Sequence, residues 1–339
     1  DWSKPYPFYL AYAIEDDIGK LGDPADWQAE WKWDGIRGQI IKRNNELFVW
    51  SRGEELVTEK FPEYHSLLSK LPDGIALDGE IISGTIDENG QVNVLPFALL
   101  QTRIGRKNIT KKQLKEAPVI FIAYDLLEYN SEDWREKPLI QRREQLEEVL
   151  ANINDAAITP SPIIHFTSWE ELANHRETSR SINAEGVMLK KKNSVYQAGR
   201  KRGDWWKWKI QPLTIDAVMI YAQKGAGRRS NLYTAYTFAV RDGDQLIPFT
   251  RAYSGLTDKE IAQVDYFVKR NSIEKFGPVR TVKPELVFEI AFEGIAASNR
   301  HKSGVALRFP RINRWRKDKP VDEINTLDDL KKMLEVYGK

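Results

Sequence analysis

Apolar and polar residues alternate along residues 27–50, as they do in β-strands that bury one face. Within this segment, residues 38–43 and 46–50 flank an Asn-Asn turn at 44–45 and predict a β-hairpin. Four further segments are strand-like, and the first three are largely apolar: 75–82, 119–127, 184–190 and 204–209. The first part of the chain is therefore predicted to contain a sheet-rich core.

Helical spacing of apolar residues predicts helices between these strands. The predicted helices cover residues 61–71, 97–106, 111–117, 139–150 and 169–179. In helix 139–150, Arg142 and Arg143 fall on the polar side of an amphipathic pattern. Both arginines are therefore expected on the face of that helix that points away from the core.

The pattern changes at Gln211-Pro212, after which short apolar strands are separated by turns. The predicted strands are 215–223, 233–241, 246–253 and 286–293, with one helix at 258–270. About five strands and one helix in a segment of this length suit a small barrel such as the OB-fold. We therefore predict an α+β chain, with an antiparallel-sheet domain at 1–211 and a small OB-fold β-barrel domain at 212–339.

The composition is that of a globular protein, with 41% hydrophobic and 11% aromatic residues in a chain of 339. The absence of cysteine excludes disulfides, thiolate metal sites and a cysteine nucleophile. There is no apolar run of about 18 residues and no visible signal peptide. We therefore expect no membrane span and a location in bacterial cytoplasm.

Positive charge is concentrated in two segments, although the formal net charge is only +2. Residues 190–209 contain eight Lys or Arg and one acid, and residues 300–319 again contain eight and one. Such stretches suit a phosphate polymer or a nucleoside triphosphate as the partner. A solvated, self-repelling surface is the alternative interpretation of either segment by itself.

Residues 30–38 contain a lysine between two tryptophans, followed by Asp34-Gly35 and Arg37. Because Asp-Gly is a common turn dipeptide, one interpretation is a charged strand edge that runs into a turn. The other interpretation is a nucleophilic lysine, since burial among aromatic residues and nearby cations lowers the pKa of an amine. Only the remaining segments can decide between the two.

Two other segments place like-charged side chains on one face of a strand. Asp78 and Glu80 share a face of a buried strand, and we expect a metal or a lysine to pair them rather than a plain salt bridge. Lys207 and Lys209 share the face of another strand, with tryptophans behind them, which fits binding of a phosphate chain. A lysine-protected edge strand is the alternative there.

Taken in order, these segments resemble the motifs of nucleotidyltransferases that adenylate themselves, and specifically those of the ATP-dependent DNA ligases. The nucleophile motif is Lys-Trp-Asp-Gly at 32–35, where many relatives have tyrosine instead of Trp33. The other five matching motifs are 51–53, 77–80, 185–190, 206–209 and 308–319, and an aromatic-acid element at 124–125 follows the third motif. A single Lys-x-Asp-Gly is a weak signal, but six motifs in the right order over almost the whole chain are specific.

The resemblance implies an adenylation domain followed by an OB-fold domain, with ATP and Mg²⁺ as cofactors. Lys32 would attack the α-phosphate of ATP, pass AMP to the 5′-phosphate of a nick, and so allow the 3′-hydroxyl to seal the strand. The implied catalytic residues are Lys32, Asp34, Lys207, Lys209, Arg316 and Lys319. The implied nucleotide-binding residues are Glu30, Arg37, Arg52, Tyr124, Met188, Lys190 and Lys207, and the implied Mg²⁺ ligands are Glu80 and Glu185.

Individual roles also follow from the resemblance. Lys207 and Lys209 would grip the α-phosphate, and two arginines, Arg37 and Arg52, would hold the ribose and the nick phosphate. The adenine would lie between Tyr124 and Met188, with its amino group read by Glu30. Arg316 and Lys319 would orient the pyrophosphate, which implies that the second domain moves about a hinge near Gln211-Pro212.

The expected partner is nicked double-stranded DNA, bound by a monomer. The chain begins with Asp1 and shows nothing like the N-terminal DNA-binding domain of larger ligases, so we expect a catalytic core cut from a longer chain.

Three alternatives remain open. An mRNA capping guanylyltransferase shares the lysine chemistry but uses GTP, whereas Glu30 and the closing Arg-x-Asp-Lys at 316–319 favour ATP and DNA. An RNA ligase is the second alternative, although such enzymes usually lack the OB-type second half. The third is a non-catalytic nucleic-acid-binding module with a degenerate ligase fold, which the intact motif residues oppose.

If a DNA-binding domain is missing, the chain should self-adenylate well but seal nicks poorly as the salt concentration rises. The reason is that affinity carried by a few phosphate contacts falls steeply with salt. Gel assays of nick sealing between low salt and about 0.2 M salt measure this. Robust sealing at about 0.2 M salt would contradict the expectation.

Overall fold

The structure is a computed structural model in which residues 1–338 are described. The chain forms two units, the first spanning Asp1–Ile210 and the second starting at Gln211. Both units combine helices with mostly antiparallel sheets, which confirms the α+β class predicted from the sequence. Within residues 1–338, no helix combines the length and the apolar character needed to cross a membrane.

The strands and helices of the first unit are β1 (Tyr9–Leu10), β2 (Tyr12–Ala13), β3 (Trp27–Trp33), β4 (Ile36–Arg43), β5 (Glu46–Ser51), α1 (Leu67–Lys70), β6 (Ile75–Ile86), β7 (Val92–Val94), α2 (Phe97–Ile104), α3 (Lys111–Glu116), β8 (Val119–Tyr129), β9 (Glu132–Asp133), α4 (Leu139–Ala151), β10 (Ile158–Pro160), β11 (Ile163–Ile164), α5 (Trp169–Glu177), β12 (Ala184–Lys191), β13 (Gly199–Arg200) and β14 (Trp205–Lys209). The predicted hairpin is present as β4 and β5, and both turn residues have positive φ, as a tight hairpin turn requires.

Two sheets form the centre of the first unit. One sheet has the order β10-β8-β6-β4-β5, and the other has the order β11-β3-β12-β14-β2. Side chains alternate along β8, so that Phe121 packs towards helices α1, α2 and α4 while Ile122 packs towards Trp33 of the other sheet. The second sheet is covered on its far side by α5, whose Leu172 contacts Val187 and Leu189. Because β8 is buried on both faces, its first part, residues 119–124, is continuously apolar.

The prediction of a helix at 61–71 is largely wrong. The structure has two 3-10 turns, at Thr58–Lys60 and Pro62–Tyr64, followed by the single-turn helix α1. The buried apolar residues Phe61, Tyr64 and Leu67 recur every three positions, which is the period of a 3-10 helix rather than of an α-helix.

The placement of Arg142 and Arg143 on an outward polar face is also wrong. Arg142 is fully buried and forms a double hydrogen bond with the carboxylate of Asp125, which is fully buried too, through Nε at 2.8 Å and Nη2 at 3.0 Å. Its Nη1 donates to the carbonyl oxygens of Lys137 and Ser194. The arginine is compatible with a core because a buried carboxylate and two carbonyls satisfy its donors, a circumstance that helix periodicity does not reveal.

The elements of the second unit are β15 (Leu213–Lys224), β16 (Tyr233–Asp242), β17 (Gln245–Ala252), α6 (Asp258–Arg270), β18 (Ser272–Phe276), β19 (Val279–Val282), β20 (Val287–Phe292), β21 (Gly294–Ala297), β22 (Val305–Arg308), β23 (Arg311–Trp315) and α7 (Leu327–Tyr337). The long strand β15 organises this unit by pairing with β16 on one edge and, successively, with β20 and β19 on the other. The larger core of apolar residues lies inside these strands, with Val264 of α6 and Leu330 of α7 packed into it. A smaller buried cluster forms around Val218 and Ile324.

Sequence reasoning missed α7 and several short strands of the second unit. The helix was detectable, because Thr326 and Asp329 form a capping box at its start. The strands β18, β19 and β21 to β23 have four or five residues each, which is too short for a periodicity signal.

The Arg142 contacts lead to a stability prediction. Replacing Arg142 with Leu should lower the free energy of unfolding by about 3–5 kcal/mol, because the Asp125 carboxylate then stays buried without a cation. Lys112→Leu is the matched control, since Lys112 is exposed and its contact to Glu116 is 3.8 Å long. Urea unfolding of both variants measures the difference, and equal midpoints would contradict the assignment.

Candidate active site

A cavity of about 440 Å³ lies in the first unit and contains most of the candidate residues. Its lining comes from both central sheets, with β3, β12 and β14 on one side and β4, β6 and β8 on the other. The candidate residues that line it are Lys32, Asp34, Arg37, Arg52, Glu80, Tyr124, Glu185, Met188, Lys190 and Lys207. The structure therefore brings together side chains that are up to 175 positions apart between Lys32 and Lys207.

Strand register explains this convergence on the side of the second sheet. Met188 of β12 pairs with Glu30 of β3 on one side and with Lys207 of β14 on the other. Alternation along each strand then places Lys32 and Lys190 on the same face as this row. The opposite face carries Trp206 and Trp208, which pack with the apolar residues around α5.

Lys32 lies at one end of the cavity, where its ammonium contacts Glu185. Lys32 Nζ is 2.7 Å from Glu185 Oε2, and both side chains are partly exposed to the cavity. Trp31, the residue before Lys32 on β3, is half-buried, and Trp33 is buried in the core between the sheets. The lysine is thus held on a rigid strand, with its amine directed into the cavity beside a carboxylate.

Glu80 is the second carboxylate of the cavity, and it is mostly buried. Burial raises the pKa of Glu80 to about 7, although Arg37 and Lys32 oppose this by favouring the charged form. The phenol of Tyr124 donates a hydrogen bond to Glu80 Oε2 at 3.0 Å. Glu80 and Glu185 offer hard oxygen ligands in the same cavity, and a cation there would stabilise the buried carboxylate in its charged form.

Glu80 and Glu185 fit a Mg²⁺ ion that takes only some of its ligands from the protein. Within residues 1–338, no cluster of three or more His, Asp or Glu side chains is arranged to hold a metal. Mg²⁺ usually takes only one or two carboxylates from the protein and completes its shell with water and phosphate oxygens. The donor set here therefore matches a magnesium ion that is shared with a phosphate ligand.

Asp78 faces the same side of β6 as Glu80, but its partner differs from the expectation. Arg37 binds the fully buried Asp78 carboxylate with two hydrogen bonds, from Nε at 2.7 Å and from Nη2. Tyr196 donates a third, at 2.9 Å. The predicted metal or lysine partner is thus wrong for Asp78, because β4 lies beside β6 and brings an arginine within reach.

Glu30 is fully buried behind the cavity wall and does not itself line the cavity. Its Oε2 contacts Lys190 Nζ at 2.9 Å and accepts a hydrogen bond from Gln28 at 3.1 Å. Its Oε1 lies 3.7 Å from Arg143 and has no hydrogen-bond partner among the described residues. A buried acceptor without a donor next to the cavity is a position where a ligand donor would be favourable.

Tyr124 and Trp205 form the aromatic side of the cavity, and Lys190 lies against both rings. The buried Lys190 ammonium lies 4.5 Å from the ring centre of Tyr124 and 4.4 Å from that of Trp205, which is also buried. Met188 contributes to the same lining. An apolar, aromatic slot with a few charged groups is the usual composition of a nucleotide-base site.

Lys207 faces the cavity, whereas Lys209 is exposed at the end of β14 and does not line it. Burial lowers the pKa of Lys207, and the positive charges of Arg200 and Lys32 lower it further. Arg52 is exposed at the rim of the cavity. The concentration of positive charge at this end favours an anionic ligand such as phosphate.

Sequence reasoning missed three contributors to the cavity: Arg200, Trp205 and the N-terminal segment 10–11. Arg200 donates from Nη1 to the carbonyl of Ala11 at 2.8 Å, and Tyr9 stacks on Trp205 with ring centres 4.3 Å apart. The basic run at 190–209 could have indicated Arg200. Nothing in the sequence indicates the N-terminal segment, which joins the site only through strand pairing of β1 with β13 and of β2 with β14.

The candidates Arg316 and Lys319 lie in the second unit, just after β23. Lys319 Nζ is 2.6 Å from Oδ2 of Asp216, and Arg316 Nη1 is 3.3 Å from the same oxygen. The other edge of Arg316 donates to Asp318, and these hydrogen bonds lower the pKa of Asp318 to about 2. The two cations are therefore neighbours that share one acidic partner on β15.

Comparison with solved structures gives the fold. A solved structure designated Pmar-Lig_PreS3 superposes with a TM-score of 0.67 at 18% identity, covering 92% of this chain and 68% of that one. A Lig E DNA ligase superposes with a TM-score of 0.61 at 17% identity and covers 92% and 100% of the two chains. The predicted pairing of an adenylation domain with an OB-fold domain is confirmed.

Sequence comparison gives relatives at higher identity. A "probable DNA ligase" of Koribacter versatilis is 35% identical over 96% of this chain, and the DNA ligase of Methanococcus aeolicus is 32% identical over 95%. The chain spans 59% and 56% of the lengths of these two relatives.

Family models match both units of the chain. The ATP dependent DNA ligase C terminal region matches residues 229–319. The ATP dependent DNA ligase domain matches residues 10–209, which is more than half of the chain and includes every lining residue of the cavity. The chain therefore belongs to the ATP-dependent DNA ligase family.

Proposed function

We propose that this chain seals nicks in duplex DNA through an AMP group carried covalently on Lys32. The observation that carries the proposal is the position of Lys32, with its amine in a cavity that also contains two carboxylates, a second lysine and an aromatic slot. Phosphoryl transfer depends mainly on in-line positioning and neutralised oxygens, and these residue types supply both.

In the first step, the unprotonated amine of Lys32 attacks the α-phosphorus of ATP. A nitrogen–phosphorus bond forms and the nitrogen gives up one proton to solvent. The bond from the α-phosphorus to the bridging oxygen breaks, and pyrophosphate leaves with that electron pair. Lys207 faces the same cavity, where its positive charge would offset the charge that develops on the α-phosphate oxygens. When bound by Glu80 and Glu185, Mg²⁺ would neutralise phosphate oxygens and support their polarisation.

The base would lie in the slot formed by Tyr124 and Met188, beside Lys190. Glu30 Oε1, which has no hydrogen-bond partner among the described residues, would accept a hydrogen bond from the 6-amino group of adenine. Arg37, fixed by Asp78, and Arg52 at the rim would hold the ribose and the incoming nick phosphate. These assignments give ATP as the nucleotide and a DNA 5′-phosphate as the acceptor.

In the second step, an oxygen of the 5′-phosphate attacks the phosphorus of lysyl-AMP, the nitrogen–phosphorus bond breaks, and Lys32 takes up a proton from solvent and leaves as an amine. In the third step, the 3′-hydroxyl gives up its proton to solvent and attacks the activated 5′-phosphate. The new phosphodiester forms, the phosphoanhydride bond breaks, and AMP leaves with that electron pair. Arg316 and Lys319 would act only in the first step, by orienting the pyrophosphate group. This part of the proposal requires the second unit to approach the nucleotide during that step.

The covalent intermediate is directly testable. After incubation with ATP and Mg²⁺, the intact mass of the parent chain should rise by about 329 Da, the mass of one added AMP. Lys32→Ala should show no gain, whereas Lys20→Ala, at an exposed lysine outside the cavity, should gain like the parent. A gain in Lys32→Ala would place the nucleophile elsewhere, and no gain in the parent would count against the proposed function.

Base selection gives a second test. Label transfer to the protein should be about a hundredfold or more faster from α-labelled ATP than from GTP, because guanine has a carbonyl oxygen where adenine has its amino group. A buried carboxylate cannot donate to that oxygen, so the two acceptors would repel each other. Glu30→Gln should lower the ratio of the labelling rate with ATP to that with GTP, since the side-chain amide can donate a hydrogen bond to the guanine carbonyl. Equal labelling by both nucleotides would favour the guanylyltransferase alternative.

A further inference from the structure

We infer that Asp216 is a positioning residue that orients Arg316 and Lys319 towards the pyrophosphate group in the first step of the reaction. The inference rests on the proposed function, in which these two cations act on the leaving group. It adds a residue that lies outside the family motifs identified in the sequence. Asp216 does not contact the nucleotide in this scheme and acts only through the two cations.

The backbone at Asp216 is held firmly in the second unit. Its N–H donates to the side-chain oxygen of Asn325 at 2.7 Å, and its carbonyl accepts from the N–H of Asn325 at 3.0 Å. The residue also lies in the regular pairing of β15 with β20, opposite Glu289. The carboxylate therefore projects from a fixed point and can serve as an anchor for more mobile side chains.

The two cations come from a turn whose backbone is also fixed. Arg316 N–H donates to the carbonyl of Val287 at 2.8 Å, and Lys319 N–H donates to the carbonyl of Arg316 at 3.2 Å. Their side chains, however, are long and have many rotamers, and two neighbouring positive charges repel each other. A carboxylate between the charged ends removes the repulsion and selects the rotamers in which both ends lie side by side.

Asp216 orients these side chains without using all of their donors. The ammonium of Lys319 has three N–H donors, and its contact with Asp216 needs only one of them. Arg316 meets Asp216 through Nη1 and uses Nε and Nη2 for Asp318, whose side chain is 70% exposed. Phosphate oxygens could therefore bind the remaining donors of Lys319. They could also compete with the exposed Asp318 for Nε and Nη2 of Arg316, while the buried Asp216 stays in place.

A purely structural role for Asp216 makes a different prediction, which the separate steps can distinguish. If Asp216 only stabilised the second unit, its removal would impair self-adenylation and the sealing of DNA to a similar extent. If it positions the pyrophosphate-binding cations, only the first step should suffer. A nick that already carries AMP on its 5′-phosphate bypasses that step, because sealing it needs no ATP and releases no pyrophosphate.

The experiment compares Asp216→Asn with the parent chain in both reactions. We expect the maximal rate of self-adenylation to fall about tenfold or more, with a smaller change in the ATP concentration for half-maximal rate. Sealing of the pre-adenylated nick should stay within about twofold of the parent. Asp265→Asn is the matched control, since Asp265 is a buried carboxylate of the same unit that pairs with Lys269 at 2.8 Å, away from the turn.

A double-mutant cycle keeps the inference testable even if Asp216→Asn folds poorly. In a Lys319→Met background, adding Asp216→Asn should slow self-adenylation far less than it does in the parent, because the residue acts through that lysine. Equal effects in both backgrounds, a proportional loss of both reactions, or an unchanged self-adenylation rate would overturn the inference. If the parent chain itself gained no AMP, the proposed function would be wrong. The parent chain alone shows that outcome, so it cannot be confused with failure of the inference about Asp216.

Discussion

The antiparallel pairing of β3 with β12 is the constraint on which the candidate site depends. This register places Glu30 opposite Met188, and an irregularity in the pairing between Ala184 and Val187 precedes that row. Glu185 lies at this irregularity, and its Oε2 is 2.7 Å from Lys32 Nζ. A shift by one residue would send each side chain to the opposite face, towards α5, and would leave no charged cavity between the sheets.

A cavity with this many charges is compatible with a folded core only because its buried charges are paired. Arg37 satisfies Asp78, Lys190 satisfies one oxygen of Glu30, and each pair lies where a β-strand neighbour can reach. Such pairs add little net stability, since desolvation offsets much of the attraction, but removing one partner is costly. The pairs therefore fix the orientation of groups around the cavity, and fixed orientation is what phosphoryl transfer requires.

The two units differ in how their candidate cations are held. In the first unit, Lys32 and Lys207 project from strands into a shared cavity. In the second unit, Arg316 and Lys319 follow a short strand and contact a single carboxylate on β15. Our proposals assign the two sets to different roles in one reaction. Lys32 carries the AMP group and Lys207 offsets charge on the α-phosphate, whereas Arg316 and Lys319 orient the pyrophosphate.

The sequence by itself determined the long strands, most helices, the α+β class and the family, because apolar periodicity and short motifs are local properties. It also identified every charged residue that lines the cavity except Arg200, because these residues belong to the motifs that resemble those of the ATP-dependent DNA ligases. It did not place Arg142, which periodicity assigned to a polar face although a buried carboxylate and two carbonyls enclose it.

Only the tertiary structure decided which charges meet. The Asp78–Arg37 pair, the Lys190–Glu30 pair and the contact of Asp216 with Arg316 and Lys319 join residues from 41 to 160 positions apart. Such pairings depend on strand order and register, which are set by long-range packing rather than by the identity of neighbouring residues. For the same reason, the N-terminal segment at 10–11 became part of the cavity wall only when β1 and β2 paired with strands near the end of the first unit.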